Sequence, residues 1–409
     1  MDRLLFLAVV ASLPLMQPPL LAIDGYPVVL TDALFIALAA LIAALFLRGR
    51  FRVQWSGFHT AIVAFVLASF LSAAFAGTRH AFIKAAGSGY LGALGILASH
   101  YAQQRGVTRQ IVWAWLGGTT VTMIAVVAGV ILFAAGERSN MFLYGYGSLI
   151  PGAYPRVQGL FLNANVLYTY LAVGVFFLLG LVHTGVMSVR LGYTSCGALV
   201  VGALFTLSPG LGGFALAASW WLTAALNART AAWVRVAGIG AAVAFVLSIL
   251  LSPTMLERGS DLRNAPLEPS SRVMAWRDSI ATFVQHPLIG VGPGNDVAHV
   301  HYLNASHFQE FLTDAHNTFL SVLGQTGVIG FACFALMLAP MVARIRTTPD
   351  LSDAGTWRTA CEYALVAALL YPSLSGSFED TRHVWVLLGL VHAAQQGASG
   401  PETTPVVPA

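Results

Sequence analysis

The chain has 409 residues, of which 57% are hydrophobic and only 9% charged, with a mean hydropathy of +0.74. A soluble globular domain carries about a quarter charged residues. This composition therefore excludes one and indicates an integral membrane protein whose long, unbroken apolar runs are helices. The net charge of +4 comes from arginines at the ends of those runs, with Lys84 the one lysine, and is not a nucleic-acid signal.

A span needs about 20 apolar residues. Twelve runs qualify as candidates, at roughly 4–22, 28–47, 57–77, 81–101, 110–135, 158–182, 192–207, 210–226, 231–252, 317–343, 357–373 and 383–395. The first, "MDRLLFLAVVASLPLM", has a leader-like charged head, but no small-x-small cleavage site follows and apolar sequence resumes at once, so it is read as a span. "LSPGLGG" divides the seventh run from the eighth, because proline and glycine break a helix there. Cys196, Cys333 and Cys361 all sit inside apolar runs. They read as small hydrophobes, with no disulfide framework or metal-ligand spacing.

The fold class expected is thus an all-α integral membrane protein of about twelve transmembrane helices, one polytopic domain over residues 1–409. Arg3, Arg48, Arg50, Arg52, Arg105, Arg109, Arg190, Arg229, Arg235, Arg344, Arg346 and Arg358 all fall on one side if the spans alternate. By the positive-inside rule that side is the cytoplasm. Both termini are then cytoplasmic, and 396–409 reads as a disordered cytoplasmic tail. The other side holds 136–157, 253–316 and 374–382.

The 253–316 segment is too long for a passive connection and collects most of the remaining charge. Within it "SSRVMAWRDSIATFVQHP" predicts a helix, capped by Ser270 or Ser271 and ended before Pro287. Val273, Trp276, Ile280 and Phe283 or Val284 recur at helical steps on one face. The helix is expected to lie along the outer surface, with Trp276 at the membrane interface. "GVGPGN" is a glycine turn without the strand-then-helix context of a nucleotide loop.

His316 stands just before the tenth span, beside Asn317, a helix cap. The positive end of the helix and partial burial favour the neutral imidazole that a general base needs. Asp314 opposes this or orients the ring. An interfacial histidine with its tip in water is an equal reading. Gly324, Gly327 and Gly330, spaced by three, suit close helix contact in a membrane.

Arg156, Arg272, Arg277 and Arg382 lie on the outer face, against the positive-inside bias. A guanidinium near headgroups can hold a phosphate with paired donors; snorkelling is the alternative for each alone. Asn163 and Asn165 are polar groups inside a span, serving as helix glue or as part of a site. Glu379, Asp380, Arg382 and His383 read as a solvated ion-pair cluster. His299, His301 and His307 lack a supporting carboxylate or cysteine, so no metal is expected, and no acidic pair is placed to hold a metal-bound sugar nucleotide.

Four features together resemble the O-antigen ligase and O-antigen polymerase family of bacterial membrane glycosyltransferases. They are "RVQGLFLNANVLYTYL", "RVMAWRDSIATFVQHPLIGVGPGN", the His316–Asn317 pair followed by Gly327 and Gly330 in "HNTFLSVLGQTGVIG", and the large outer loop among twelve spans. The resemblance covers about 150–380 specifically.

It implies a place in the bacterial inner membrane with a periplasmic active face. It further implies a glycan donor on undecaprenyl diphosphate, an acceptor hydroxyl on lipid A–core or on another lipid-linked repeat unit, and no metal or other cofactor. His316 maps onto the family's base and Arg272 onto a diphosphate-binding arginine. The family's ligases often carry serine–arginine–glycine where this chain has Ser208, Pro209 and Gly210. That departure puts the lipid A–core acceptor in doubt, leaves Arg156 as a substitute, and keeps an exopolysaccharide polymerase or a protein O-glycosylating enzyme in view. A lipid-linked glycan transporter or flippase is the reading from another class. It is disfavoured by the missing internal repeat and by function gathered on one face.

Overall fold

The computed structural model describes residues 1–23, 26–104, 106–144, 153–208, 210–251, 271–303, 309–352, 355–376 and 381–397. Glu379, Asp380, His307, Pro209 and the tail from 398 onward lie outside them. The helices in chain order are α1 (Asp2–Ser12), α2 (Leu30–Leu47), α3 (Gly57–Ala76), α4 (Arg79–Ala102), α5 (Val107–Ala134), α6 (Ala164–His183), α7 (Val189–Phe205), α8 (Leu211–Leu222), α9 (Ala228–Leu251), α10 (Ser271–Gln285), α11 (Thr318–Ala343), α12 (Gly355–Ser375) and α13 (Arg382–Gly397). Two short antiparallel hairpins interrupt them, β1 (Leu21–Ile23) with β2 (Tyr26–Val28) and β3 (Val300–Leu303) with β4 (Gln309–Leu312).

Among the described residues seven helices are long and apolar enough to cross a membrane: α2, α3, α4, α5, α6, α9 and α11; α7 and α8 are shorter apolar helices. This is an almost wholly helical membrane protein. The expected first span at 4–22 is shorter than its apolar run, because Pro14, Pro18 and Pro19 end α1 and hand the chain to the first hairpin.

α6 sits at the centre, packed by α5, α7 and α12. Large apolar side chains such as Ile36 on α2, Leu67 on α3, Ile124 on α5 and Trp233 on α9 point outward and exposed. On a membrane protein those faces meet lipid rather than water. α4 and α13 approach very closely: a methyl added at Gly389 would meet the Gly95 carbonyl oxygen at 2.3 Å. This is the backbone-to-backbone packing that small residues allow where hydrophobic burial gives no driving force.

The glycine series in α11 works differently from the contact stripe expected. Gly327 has φ 63° and ψ −168°, so the helix breaks there. Phe319 packs against Phe331 and Phe334, with ring centroids 6.5 and 6.3 Å apart. On a straight helix those positions lie about 18 and 22 Å apart, so the break is a sharp bend.

A break exposes backbone groups that must find partners in an apolar setting. The chain following α10 supplies them. The Val328 and Ile329 N–H groups donate to the Pro287 and Leu288 carbonyls at 2.8 and 3.3 Å. The Val291 and Gly292 N–H groups donate to the Gly324 and Gln325 carbonyls at 3.0 and 2.9 Å. The Ser72 hydroxyl on α3 also donates to the Gln325 carbonyl, at 2.7 Å. A Cβ at Gly327 would lie 2.3–2.4 Å from Leu288 and Ile289 backbone atoms, and one at Gly290 would collide with Gln325. The 287–292 segment, which leads into the "GVGPGN" turn, is thus a plug inserted into α11.

Candidate functional site

α10 forms where the periodicity and cap placed it, Ser271–Gln285. It packs against α11, β3 and α9, while Ile280 and Val284 stay exposed. Ala275 and Ser279 are buried. Asp278 accepts from the His299 N–H at 3.2 Å, and the Thr282 hydroxyl donates to the Val297 carbonyl at 3.1 Å. These bonds tie the second hairpin to α10. The Val297 and Ala298 N–H groups then both donate to the Thr313 carbonyl, which returns the chain to Asp314 beside the start of α11.

At that start Asn317 is the N-cap, its side chain accepting from the Phe319 and Leu320 N–H groups at 3.0 and 3.2 Å. His316 precedes it with φ +46°, a left-handed conformation that costs of order 1–3 kcal/mol for a non-glycine residue and tends to occur at functional sites. The imidazole Nδ1 lies 3.8 Å from Asp314 Oδ2, and the His316 and Asp314 side chains are 39% and 37% exposed. The Ser321 hydroxyl, one turn into α11, donates to Asp314 Oδ1.

The ring is partly exposed, with protein around the rest. That burial lowers the His316 pKa below the ordinary 6.5; Asp314 raises it and the nearby Arg272 charge lowers it. The balance leaves a neutral imidazole at pH 7.

Arg272 stands in the first turn of α10 and adds its charge both to His316 and to Arg156. Among the described residues it makes no ion pair or hydrogen bond. Arg156 enters from the segment before α6. Its Nε donates to the Thr206 carbonyl at 3.2 Å and its guanidinium lies 4.9 Å over the Tyr144 ring. Tyr144 in turn accepts from Asn163 Nδ2 at 3.3 Å. Burial lowers the Arg156 pKa most, Tyr144 and Tyr371 raise it, and Arg272 lowers it further. The group stays cationic. The Arg272 charge thus acts on both a second guanidinium and the imidazole, and an anion near the two arginines would be favoured.

The other sequence candidates fall elsewhere. Arg277 is exposed on another face of α10. Arg382 is committed to Asp32, its Nη2 donating to both carboxylate oxygens at 2.8 and 3.1 Å, with the guanidinium 5.6 Å over Tyr90. His383, read as part of a solvated cluster, is instead buried against Thr169 at 2.7 Å and among Trp115, Phe161 and Tyr170.

Trp276, expected at a membrane interface, packs with Phe245, Tyr371, Leu370 and Leu374. Its indole N–H and the Asn165 side-chain oxygen Oδ1, in the first turn of α6, are buried without a hydrogen-bond partner among the described residues. Tyr144, Thr206, Tyr371 and Ser321 were not signalled by sequence, since neutral residue types carry no charge pattern and act here through partners distant in the chain. Among the described residues no group of three or more histidine, cysteine or acidic side chains is placed to hold a metal.

No curated protein matches the chain. A family model described as O-Antigen ligase matches residues 194–335, from within α7 to beyond the bend in α11. That segment contains Arg272, Asp314, His316, Asn317, Gly327 and Gly330, and over it the chain is similar to the O-antigen ligase family.

Proposed function

We propose that this protein transfers a glycan from undecaprenyl diphosphate to an acceptor hydroxyl at the periplasmic face of a bacterial inner membrane. The observation that carries the reading is that Arg272 lies close enough for its charge to act on both Arg156 and a neutral His316 beside Asp314. The twelve-span topology, with both termini in the cytoplasm and 253–316 outside, belongs to this proposal.

The donor's diphosphate offsets the repulsion between Arg272 and Arg156. His316 takes the proton of the acceptor hydroxyl as its oxygen attacks the anomeric carbon. A new glycosidic C–O bond forms while the bond from that carbon to the diphosphate oxygen breaks, and the electron pair leaves with undecaprenyl diphosphate. The arginines meet the charge that grows on the leaving oxygen, which is where fixed cations accelerate a reaction. Donor and acceptor are both held at the membrane, which supplies proximity.

Near the arginines Trp276 and Tyr371 adjoin Val246. Val246 also lines an apolar groove between α8 and α9 with Leu216, Ile239 and Val243. A prenyl chain is the kind of group such a groove suits.

The acceptor is the second variable. The Arg156 Nε bonds the Thr206 carbonyl, in the turn where the family's ligases often place their own arginine. This supports Arg156 as its replacement and keeps a lipid A–core acceptor open beside a repeat-unit acceptor.

The test is His316→Ala, with membrane insertion checked by yield. Release of undecaprenyl diphosphate from a lipid-linked oligosaccharide should fall by about 10²–10⁴-fold, and normal transfer by a well-expressed variant overturns the base assignment. The acceptor is decided by the glycan profile of a deletion strain: lipid-linked polymer accumulating without long chains on lipid A–core means a ligase, and repeat units that stay single mean a polymerase.

A further inference from the structure

A general base must be aimed as well as neutral. His316 sits in a left-handed backbone conformation at the end of a hairpin connection, and the carboxylate near its Nδ1 belongs to a residue outside any helix or strand. The Ser321 hydroxyl donates to Asp314 Oδ1 from within α11 and so ties that carboxylate to the helix.

Ser321 is fully buried. Its backbone N–H is already used, donating to the Asn317 carbonyl at 2.8 Å, so its position is set by the first turn of the helix. The same turn is fixed by the Asn317 cap and by the Thr318 hydroxyl, which donates to the Pro372 carbonyl at 3.1 Å.

We infer that Ser321 is a positioning residue for the transfer reaction: it anchors the Asp314 carboxylate to α11 so that the other oxygen faces His316 Nδ1. The 3.8 Å between Nδ1 and Asp314 Oδ2 is an electrostatic contact. The carboxylate favours the tautomer with its proton on Nδ1, which leaves the Nε2 lone pair to take the acceptor's proton. The chain of contacts runs Ser321 to Asp314 to His316, and only His316 meets substrate. Asp314 and Arg272 are the charged groups that act on the ring. The inference rests on the reading of His316 as the base.

The experiment compares Ser321→Ala, Asp314→Asn, the double variant and His316→Ala, each purified and matched for yield and melting temperature. The readout is release of undecaprenyl diphosphate from an undecaprenyl-diphosphate-linked oligosaccharide, with an envelope glycolipid extract as acceptor, across pH. Ser321→Ala should lower kcat about tenfold, a fraction of what a general base supplies, with KM for the donor unchanged. Its acid limb should move to lower pH in the same direction as that of Asp314→Asn. On the Asp314→Asn background the serine substitution should add nothing, because the two act through one contact.

Wild-type kcat and pH limb in Ser321→Ala, or a full additive loss in the double variant, overturn the inference. Should Ser321→Ala prove too unstable to purify, Ser321→Cys keeps the volume with a weaker donor and is held to the same non-additivity and pH-limb criteria. If His316→Ala remains active, the base reading itself has failed. If His316→Ala is dead while Ser321→Ala is unaffected, only the positioning role has.

Discussion

The two ends of the α11–α12 pair treat charge in opposite ways. At the end away from His316, Glu362 is 1% exposed and saturated. It accepts from Arg358 Nε at 2.8 Å, from Gln395 Nε2 at 3.1 Å and from the Arg346 N–H at 3.2 Å, while Arg358 Nη2 reaches the Arg344 carbonyl. Those bonds join α11, α12 and α13, and every charge in them has an opposite. At the other end the Arg272 charge acts on both Arg156 and His316. A buried ion that is fully paired specifies structure, whereas one guanidinium placed near another makes a candidate anion site.

The largest test of that contrast is Arg272→Ala. Removing it should leave folding intact and lower donor turnover by about 10²–10³-fold, the scale of losing one fixed stabiliser of developing charge. Arg272→Lys should recover part of this only, since a lysine is a point charge without the paired donors. Undecaprenyl diphosphate release at matched protein yield measures both. A collapse in yield with unchanged specific activity would mean Arg272 is structural after all.

Glu362→Ala should do the reverse. Stranding Arg358 beside a vacated buried position costs about 3–5 kcal/mol, so thermal melting of the detergent-solubilised protein should fall sharply. The fraction that remains folded should turn over donor normally.

Arg382 refines the comparison, because sequence grouped it with the donor-binding arginines while its guanidinium is spent on Asp32. Arg382→Gln should cost roughly 1.5–3 kcal/mol of stability, the range for bonds to a charged group. Donor KM should not move. A rise in KM without a drop in melting temperature would return Arg382 to the site.

Most helices were legible because apolar runs of membrane length leave the chain few other choices. α10 was legible too, since its caps and three- and four-residue apolar steps are local signals. Arg272 and His316 could be paired only through a family resemblance. The chemical reason for their meeting, the plug of 287–292 into α11, is a pairing between backbone groups that side-chain patterns do not encode. Gly324, Gly327 and Gly330 illustrate the limit: the same spacing serves a straight contact stripe or a break, and which forms depends on whether another segment supplies hydrogen bonds. Asp32 and Arg382 are 350 residues apart in the chain, so no window could join them. Trp276 packs on Phe245 and Tyr371, a contact that its sequence signature does not reveal.

The smallest expected effect is a pH shift, and its sign separates electrostatics from mere packing. Burial holds the His316 pKa below 6.5, Asp314 pulls it up and Arg272 pushes it down. The base is active when neutral, so the acid limb of kcat/KM should lie below pH 6.5 and activity should fall as pH drops through the folded value. Arg272→Gln removes a downward push and should move that limb up. Arg272→Lys keeps the charge and should leave it in place. Asp314→Asn removes the upward pull and should move it down. Stability follows the same sign. The unfolded chain binds the proton more readily than the folded one, so His316 destabilises the fold as pH falls below about 6.5 toward the folded value, and His316→Gln should flatten that part of the melting-temperature profile. Limbs that move together in all three variants would show that the site is merely loosened, whereas opposite movements of Arg272→Gln and Asp314→Asn can come only from charges acting on one imidazole.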